Sequence, residues 1–192
     1  MKIGVLALQG AFVEHLHMLQ QLGVEAVEVR LPQELNRLDG LIIPGGESTT
    51  IGKLAAMYRL IEPLQRFAKM KPLWGTCAGM ILMAKEIGMD QPLLGVMDIV
   101  VERNAFGRQK ESFEEDLYVE VLENGDSRPF HGVFIRSPRL VEAKGKAGAI
   151  ARLKDGTPVA AVEHRLLATA FHPELTADTR FHRYFLSLIQ QQ

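Results

Sequence analysis

Residues 72–88, PLWGTCAGMILMAKEIG, open as a short apolar run, bend between Gly75 and Gly79, and then keep helical spacing of apolar residues up to Gly88. A short strand that turns through glycine into a helix is the repeating step of an α/β protein. The same step occurs upstream. Residues 2–8, KIGVLAL, form an apolar, partly β-branched run closed by Gly10, after which Phe12, Leu16, Leu19 and Leu22 lie at helical spacing before Gly23. Residues 24–30, VEAVEVR, alternate with period two, and residues 32–37 read as a loop. Residues 39–46, DGLIIPGG, form a short buried strand stopped by a proline and two glycines. Beyond GGESTT a helix is expected with Ser48 or Thr49 as its N-cap; a second helix over residues 62–70, the strand PLWGT and a helix through Gly88 follow.

This alternation predicts a three-layer α/β fold, with a flavodoxin-like, mostly parallel central sheet, helices on both faces, and functional loops at the carboxyl ends of the strands. The second half changes character. The runs LLGVMDIVVER, LYVEVL, GVFIR, AGAIARL, TPVAAVEH and LLATAFHPE are strand-like and divided by turn residues, so some antiparallel pairing is expected before a closing helix over residues 179–189. Residues 103–116, RNAFGRQKESFEED, read as a polar surface loop.

Composition limits the function. A length of 192 residues with 47% hydrophobic content suits one α/β domain spanning residues 1–192. The formal net charge of −1, without a lysine or arginine block, leaves no electrostatic footprint for nucleic acid or an anionic membrane. The apolar run at the N-terminus is too short for a membrane span and continues into an amphipathic helix, so a cytoplasmic protein is expected. A lone cysteine forms no internal disulfide and is too little for a thiolate metal cage, which leaves packing or reactivity.

At the bend, Gly75 and Gly79 permit a strained strand–turn–helix elbow that pushes Cys77 into a cleft, where the first helical N–H groups favour a thiolate and the Ala78 N–H faces a developing oxyanion. The same placement also suits a small buried hydrophobe that begins a helix. Among the six histidines, His15, His17 and His182 read as solvent-facing helix residues, and His131 and His164 border strands without an acidic neighbour. His172 differs, because in the extended segment HPE it shares a side with Glu174, which can fix its tautomer and leave the other ring nitrogen to act as base and then acid. A histidine at a strand end followed by a turn has the same sequence. In PGGEST, Gly45 and Gly46 expose backbone N–H groups as an oxyanion hole requires, or simply form a tight turn. A phosphate loop is excluded by spacing: Gly46 to Gly52 is one residue too long and Leu54 follows Lys53.

Taken in order, LQG, PGGEST, GTCAG, VVERNAFGRQ, GVFIRSP and FHPELT closely resemble the glutaminase-subunit family of pyridoxal 5′-phosphate synthase, which belongs to the class I triad glutamine amidotransferases. The likeness covers nearly the whole chain. It implies a hydrolase that works in a hetero-oligomeric lyase complex and makes vitamin B6: Cys77 as nucleophile, His172 as general base and acid, and Glu174 as orienting carboxylate. L-Glutamine would be held at Gly45, Gly46, Glu47, Arg103, Ile135 and Arg136, with Gly46 and Ala78 as oxyanion donors. The ammonia would pass to a (β/α)₈-barrel synthase subunit, without metal or organic cofactor. Gln9 and Gly10, at a neighbouring strand end, are the expected relay for activation by that partner. A cysteine peptidase of similar architecture and a non-catalytic binding subunit are the competing readings; the first has no need of the glutamine-binding motifs and the second has no need of all three triad residues.

Overall fold

The structure, a computed structural model, describes residues 1–103 and 112–190. The chain runs through β1 (Lys2–Leu6), α1 (Phe12–Gln21), β2 (Glu25–Val29), β3 (Gly40–Ile43), α2 (Ser48–Met57), α3 (Ile61–Met70), β4 (Leu73–Thr76) and α4 (Ala78–Met83). It continues through β5 (Ala84–Glu86), β6 (Met97–Glu102), β7 (Ser112–Leu117), β8 (Phe130–Ile135), β9 (Arg139–Ala143), β10 (Gly148–Arg152), β11 (Pro158–Glu163), β12 (Leu166–Thr169) and α5 (Arg180–Gln190). Seven strands form the main sheet in the order β2-β1-β3-β4-β12-β11-β10. The first five are parallel, in the doubly wound order expected, and β11 and β10 add antiparallel to one edge.

The parallel strands are buried because helices cover them. Trp74 on β4 is fully buried, with ring contacts to His15 of α1 and to Phe181, His182 and Phe185 of α5, so α1 and α5 share one face. Right-handed crossovers place the α2–α3 connection on the other. Gly79 marks a close approach of α4 to the sheet: a Cβ there would stand 2.1 Å from the Ile43 carbonyl oxygen, and one on Gly75 would stand 2.5 Å from the Gly79 backbone. Backbone cannot yield as a side chain does. Gly79→Ala is therefore expected to cost about 3 kcal/mol or more, read as a lowered midpoint in urea.

Several elements differ from the sequence expectation, each for a local reason. The helix after Cys77 ends at Met83, not at Gly88, because Leu94 N–H takes the Leu82 carbonyl (2.8 Å) and Val96 N–H takes that of Met83 (3.0 Å). With those acceptors occupied, residues 84–86 become β5 and pair with β6. Residues 32–37 form a 3₁₀ helix, tied by the Glu34 carboxylate to the N–H groups of Arg30 and Leu31. The N-cap of α2 is Glu47, not Ser48 or Thr49; its carboxylate accepts from the N–H groups of Thr49 and Thr50. Of the expected loop over residues 103–116, residues 112–116 belong to strand β7, with Phe113 stacked on Phe134 at 4.4 Å, and residues 104–111 lie outside the described residues. The run LYVEVL leaves the strand after Leu117 and turns, with the following carbonyls of Glu123, Arg128 and Pro129 taken by the buried Arg180 guanidinium. The strand β9, paired antiparallel with β6, was not anticipated.

Candidate active site

Four loops meet at the carboxyl ends of β1, β3, β4 and β12, and they carry most of the candidate residues. Cys77 lies between β4 and α4 with φ 49° and ψ −105°, a left-handed conformation that ordinary side chains avoid. The elbow is held by the Cys77 N–H donating to the Thr169 carbonyl at 2.8 Å. Its Sγ is 4.0 Å from the Ile135 carbonyl oxygen. Across from it, His172 follows β12 and is fixed through its N–H to the Val133 carbonyl of β8 at 2.8 Å. The ring Nδ1 is 2.7 Å from Oε1 of Glu174, on the 3₁₀ turn Pro173–Leu175, and both side chains are buried.

Burial alone would lower the basicity of His172. Hydrogen bonds to Cys77 and Glu174, with their negative charges, outweigh it and push the pKa up to about 10. Burial likewise opposes ionisation of Glu174, yet the electrostatic attraction of the His15 and His172 rings and the hydrogen bond from His172 leave its carboxyl below the usual range. The arrangement is a buried thiol–imidazole–carboxylate row.

The row extends further than the sequence suggested. His15 and His182, expected at the surface, are both fully buried. His15 Nδ1 is 3.0 Å from His182 Nε2, and His15 Nε2 is 3.2 Å from Thr76 Oγ1 and 3.4 Å from Glu174 Oε2. The signal was present: His15 is three residues after Phe12 and four before Leu19, on the stripe of α1 that faces the sheet. His131, expected without acidic neighbours, sits 2.9 Å from both Asp116 and Glu114 across the β7–β8 pair, and hydrogen bonds to the two carboxylates raise its pKa. His17 is exposed, as expected, and His164 is exposed as well.

A cavity of about 290 Å³ is lined by Gln9, Gly46, Glu47, Cys77, Ala78, Arg103, Ile135, Arg136 and His172 among others. Its size suits a small metabolite. Three candidates stand behind its wall. Glu174 lies beyond the His172 ring; Gly45 lies beneath it, where a Cβ would come within 2.4 Å of His172 Cε1; Gly10 packs backbone to backbone on Gly45, where a Cβ would overlap the Gly45 carbonyl oxygen at 1.8 Å. Gly10 has φ 105°, so glycine is required there on both counts. The Gly45 carbonyl accepts from Ala11 N–H at 3.0 Å, and Gln9 Oε1 accepts from Glu47 N–H at 2.8 Å.

Glu47 and Arg103 neutralise each other at 3.0 Å. The Glu47 carboxylate takes four donors: Oε1 accepts from Thr49 N–H and Arg103, and Oε2 from Thr50 N–H and the Thr50 hydroxyl. Despite some desolvation, the bonds from Thr50 and Thr49, led by that from the Thr50 hydroxyl, lower its pKa to about 2. Arg103 also donates to Thr49 Oγ1 and Gln91 Oε1. Arg136, exposed, has φ 42° at the end of β8. Among the described residues, no group of three or more His, Cys, Asp or Glu side chains is arranged to hold a metal ion, and no helix is long and apolar enough to cross a membrane. A larger cavity of about 640 Å³ opens at the opposite end of the sheet, lined by Lys69, Lys71, Lys85, His164 and Arg165, and contains none of the candidate residues.

A doubly wound sheet that presents a cysteine elbow against a buried histidine–carboxylate pair defines a hydrolase-type site, suited to acyl transfer through the sulfur. The chain belongs to the SNO glutamine amidotransferase family, whose profile matches residues 5–191. It is similar to the pyridoxal 5′-phosphate synthase subunit PdxT of Herpetosiphon aurantiacus, 58% identical over 98% of this chain and 100% of the relative. The PdxT subunit of Dehalococcoides mccartyi is also 58% identical, over 98% of this chain and 97% of the relative. A crystal structure titled as that of a glutamine amidotransferase superposes with a TM-score of 0.91 at 51% identity, covering 98% of each chain.

Proposed function

We propose that this chain, as a single glutaminase domain, hydrolyses L-glutamine to L-glutamate and ammonia and supplies the ammonia to a separate synthase subunit that makes pyridoxal 5′-phosphate. The observation that carries the proposal is the buried His172–Glu174 pair set against the strained Cys77 in a chain of an amidotransferase family. Cys77 thiolate attacks the carboxamide carbon, and the N–H groups of Gly46 and Ala78 hold the oxyanion. The His172 imidazolium gives its proton to the departing nitrogen as the C–N bond breaks, which leaves ammonia and a thioester. Water then loses a proton to His172 and attacks the thioester; the C–S bond breaks, glutamate leaves, and the thiolate–imidazolium pair is restored. No step calls on a metal or an organic cofactor.

Glutamine would lie in the cavity between Arg103, Arg136 and the backbone of Gly46, Glu47 and Ile135. With every lone-pair position of its carboxylate occupied, Glu47 serves as helix cap and anchor of Arg103, and meets the substrate through its main chain. Gly45 acts by its small size, which admits the His172 ring. The setting is a cytoplasmic hetero-oligomer with the barrel-shaped synthase, with no nucleic acid or membrane partner. A coupled assay for glutamate and ammonia, with and without the synthase subunit, tests the proposal; peptide hydrolysis without ammonia release from glutamine would overturn it.

Activation by the partner is part of this reading. Gln9 and Ala11 grip the backbone on both sides of Gly46, whose N–H is the proposed oxyanion donor. A partner touching the loop that begins α1 therefore acts directly on the Gly45–Gly46 peptide. Losing one such donor costs about 10²–10³ in rate, so saturating synthase is expected to raise turnover by that order, and Gln9→Ala to blunt the rise. Equal turnover with and without synthase would remove the idea, and undiminished activation of Gln9→Ala would remove Gln9 from it.

A further inference from the structure

We infer that His15, held by His182 and Thr76, is a positioning residue of the catalytic row, bearing on the oxygen of Glu174 that His172 does not use. The inference rests on the proposed glutaminase chemistry. Oε2 of Glu174 is buried and has no hydrogen-bond partner among the described residues, although the other oxygen is bonded to His172. His15 Nε2 stands 3.4 Å from it, shared with Thr76 Oγ1, a charge–dipole contact and not a full hydrogen bond. Catalytic contacts of this kind are commonly long in the resting state and shorten on the reaction path.

The tautomers follow from the surroundings. Burial lowers the pKa of His15 and, together with the neighbouring His15, that of His182, so both rings are neutral and each carries one proton. If His15 carried it on Nδ1, its Nε2 lone pair would face the Glu174 anion and His182 would leave a buried N–H at Nδ1 unpaired. If His15 carries it on Nε2, that N–H points at the carboxylate, His182 Nε2–H donates to His15 Nδ1, and the unpartnered His182 Nδ1 is only an acceptor. In the second arrangement the donors converge on the carboxylate: His182 donates to His15, His15 points its N–H at Glu174 Oε2, and His172 Nδ1–H donates to Oε1. The titratable groups facing His15 are Glu174 and His172 from the turn after β12, His182 from α5, and Glu14 from its own helix. The aromatic edge of Trp74 closes the remaining side at 5.6 Å.

A pair of histidines kept only to fill space would be replaceable by apolar side chains of similar size. The two roles separate in His15→Leu, examined in the complex with the synthase subunit. As a positioning residue, His15 should cost about 10–100-fold in kcat when lost, by analogy with outer partners of metal ligands, with the glutamine KM within about twofold of the original. The His172 ring, followed by NMR of labelled histidine, should titrate at lower pH than the wild type. His15→Gln, which restores an N–H donor near the Nε2 position, should recover most of kcat. Wild-type kcat and an unmoved His172 midpoint in His15→Leu would overturn the inference. Should that variant fail to fold, His182→Phe takes its place: a several-fold loss with a lowered midpoint supports the inference, and wild-type values overturn it. If the wild type releases no ammonia from glutamine, the function fails on that arm, while the titration still decides the role of His15.

Discussion

Cys77→Ala is expected to lower glutaminase turnover by about six orders of magnitude, to background, with the fold and partner binding retained. Removal of a nucleophile from a concerted row costs on that scale, because the remaining groups have no covalent route to assist. The substitution removes only a sulfur from a site that is already lined by small residues, so little packing is lost. The backbone makes the prediction sharper. With φ 49° and ψ −105°, Cys77 occupies a conformation that glycine takes without strain, and such strain is worth about 1–3 kcal/mol. Cys77→Gly should therefore be about as inactive as Cys77→Ala yet unfold at higher denaturant concentration. Glutamate release and urea midpoints of the two variants check both parts; turnover near wild type in either would remove Cys77 from the role of nucleophile.

Glu174→Gln should have the next largest effect, a fall in kcat of about 10⁴ with the glutamine KM little changed, the order seen when a triad carboxylate becomes an amide. Geometry explains why the loss exceeds that of a charge alone. The carboxylate faces two N–H groups, His172 Nδ1 at 2.7 Å and His15 Nε2 at 3.4 Å, and either orientation of an amide sets its own NH₂ against one of them. His172 then loses a fixed tautomer or His15 loses its acceptor. The pH dependence of stability should change as well. In the wild type His172 is raised from 6.5 to about 10, so its contribution is complete below pH 6.5 and is lost as pH rises through about 10. Glu174, held below its ordinary pKa, contributes above pH 4.5 and loses the contribution as pH falls. Wild type and variant should thus differ most between those limits and converge toward acid and alkali. Melting curves from pH 3 to 11 and steady-state kinetics at neutral pH test this; an unchanged kcat with a raised KM would make Glu174 a binding residue.

A single helix touches both halves of the proposed machinery. The turn that begins α1 grips the peptides flanking Gly46, and one turn further along the same helix His15 reaches Glu174. Oxyanion loop and triad carboxylate are thereby referred to one rigid element, packed on the sheet through Trp74. A partner that engages the N-terminal end of α1 acts next to both.

Much of this was legible in local pattern. Apolar runs closed by glycine located β1, β3 and β4; Cys77 between Gly75 and Gly79 announced an elbow; the tripeptide HPE paired His172 with Glu174, although the two meet across a 3₁₀ turn over Pro173–Leu175 and not along the extended segment expected. Each of these depends on a few adjacent residues, whose backbone preferences and side-chain periodicity are written in the chain itself. What remained hidden depended on residues far apart in sequence. The helix after Cys77 stops at Met83 because residues 94–96 take its carbonyls, and SFEEDL becomes a strand because β8 offers it a partner. Glu47 caps α2 in place of Ser48 or Thr49, since Arg103 and the Thr49 and Thr50 donors converge on its carboxylate. His15 and His182, separated by 167 positions, are buried together because two helices pack on the same face of the sheet. Local propensity can specify an elbow or a strand. Only the closed tertiary structure supplies the distant donors, acceptors and charges that end a helix, pair a strand, or turn a surface-seeming histidine into part of a buried row.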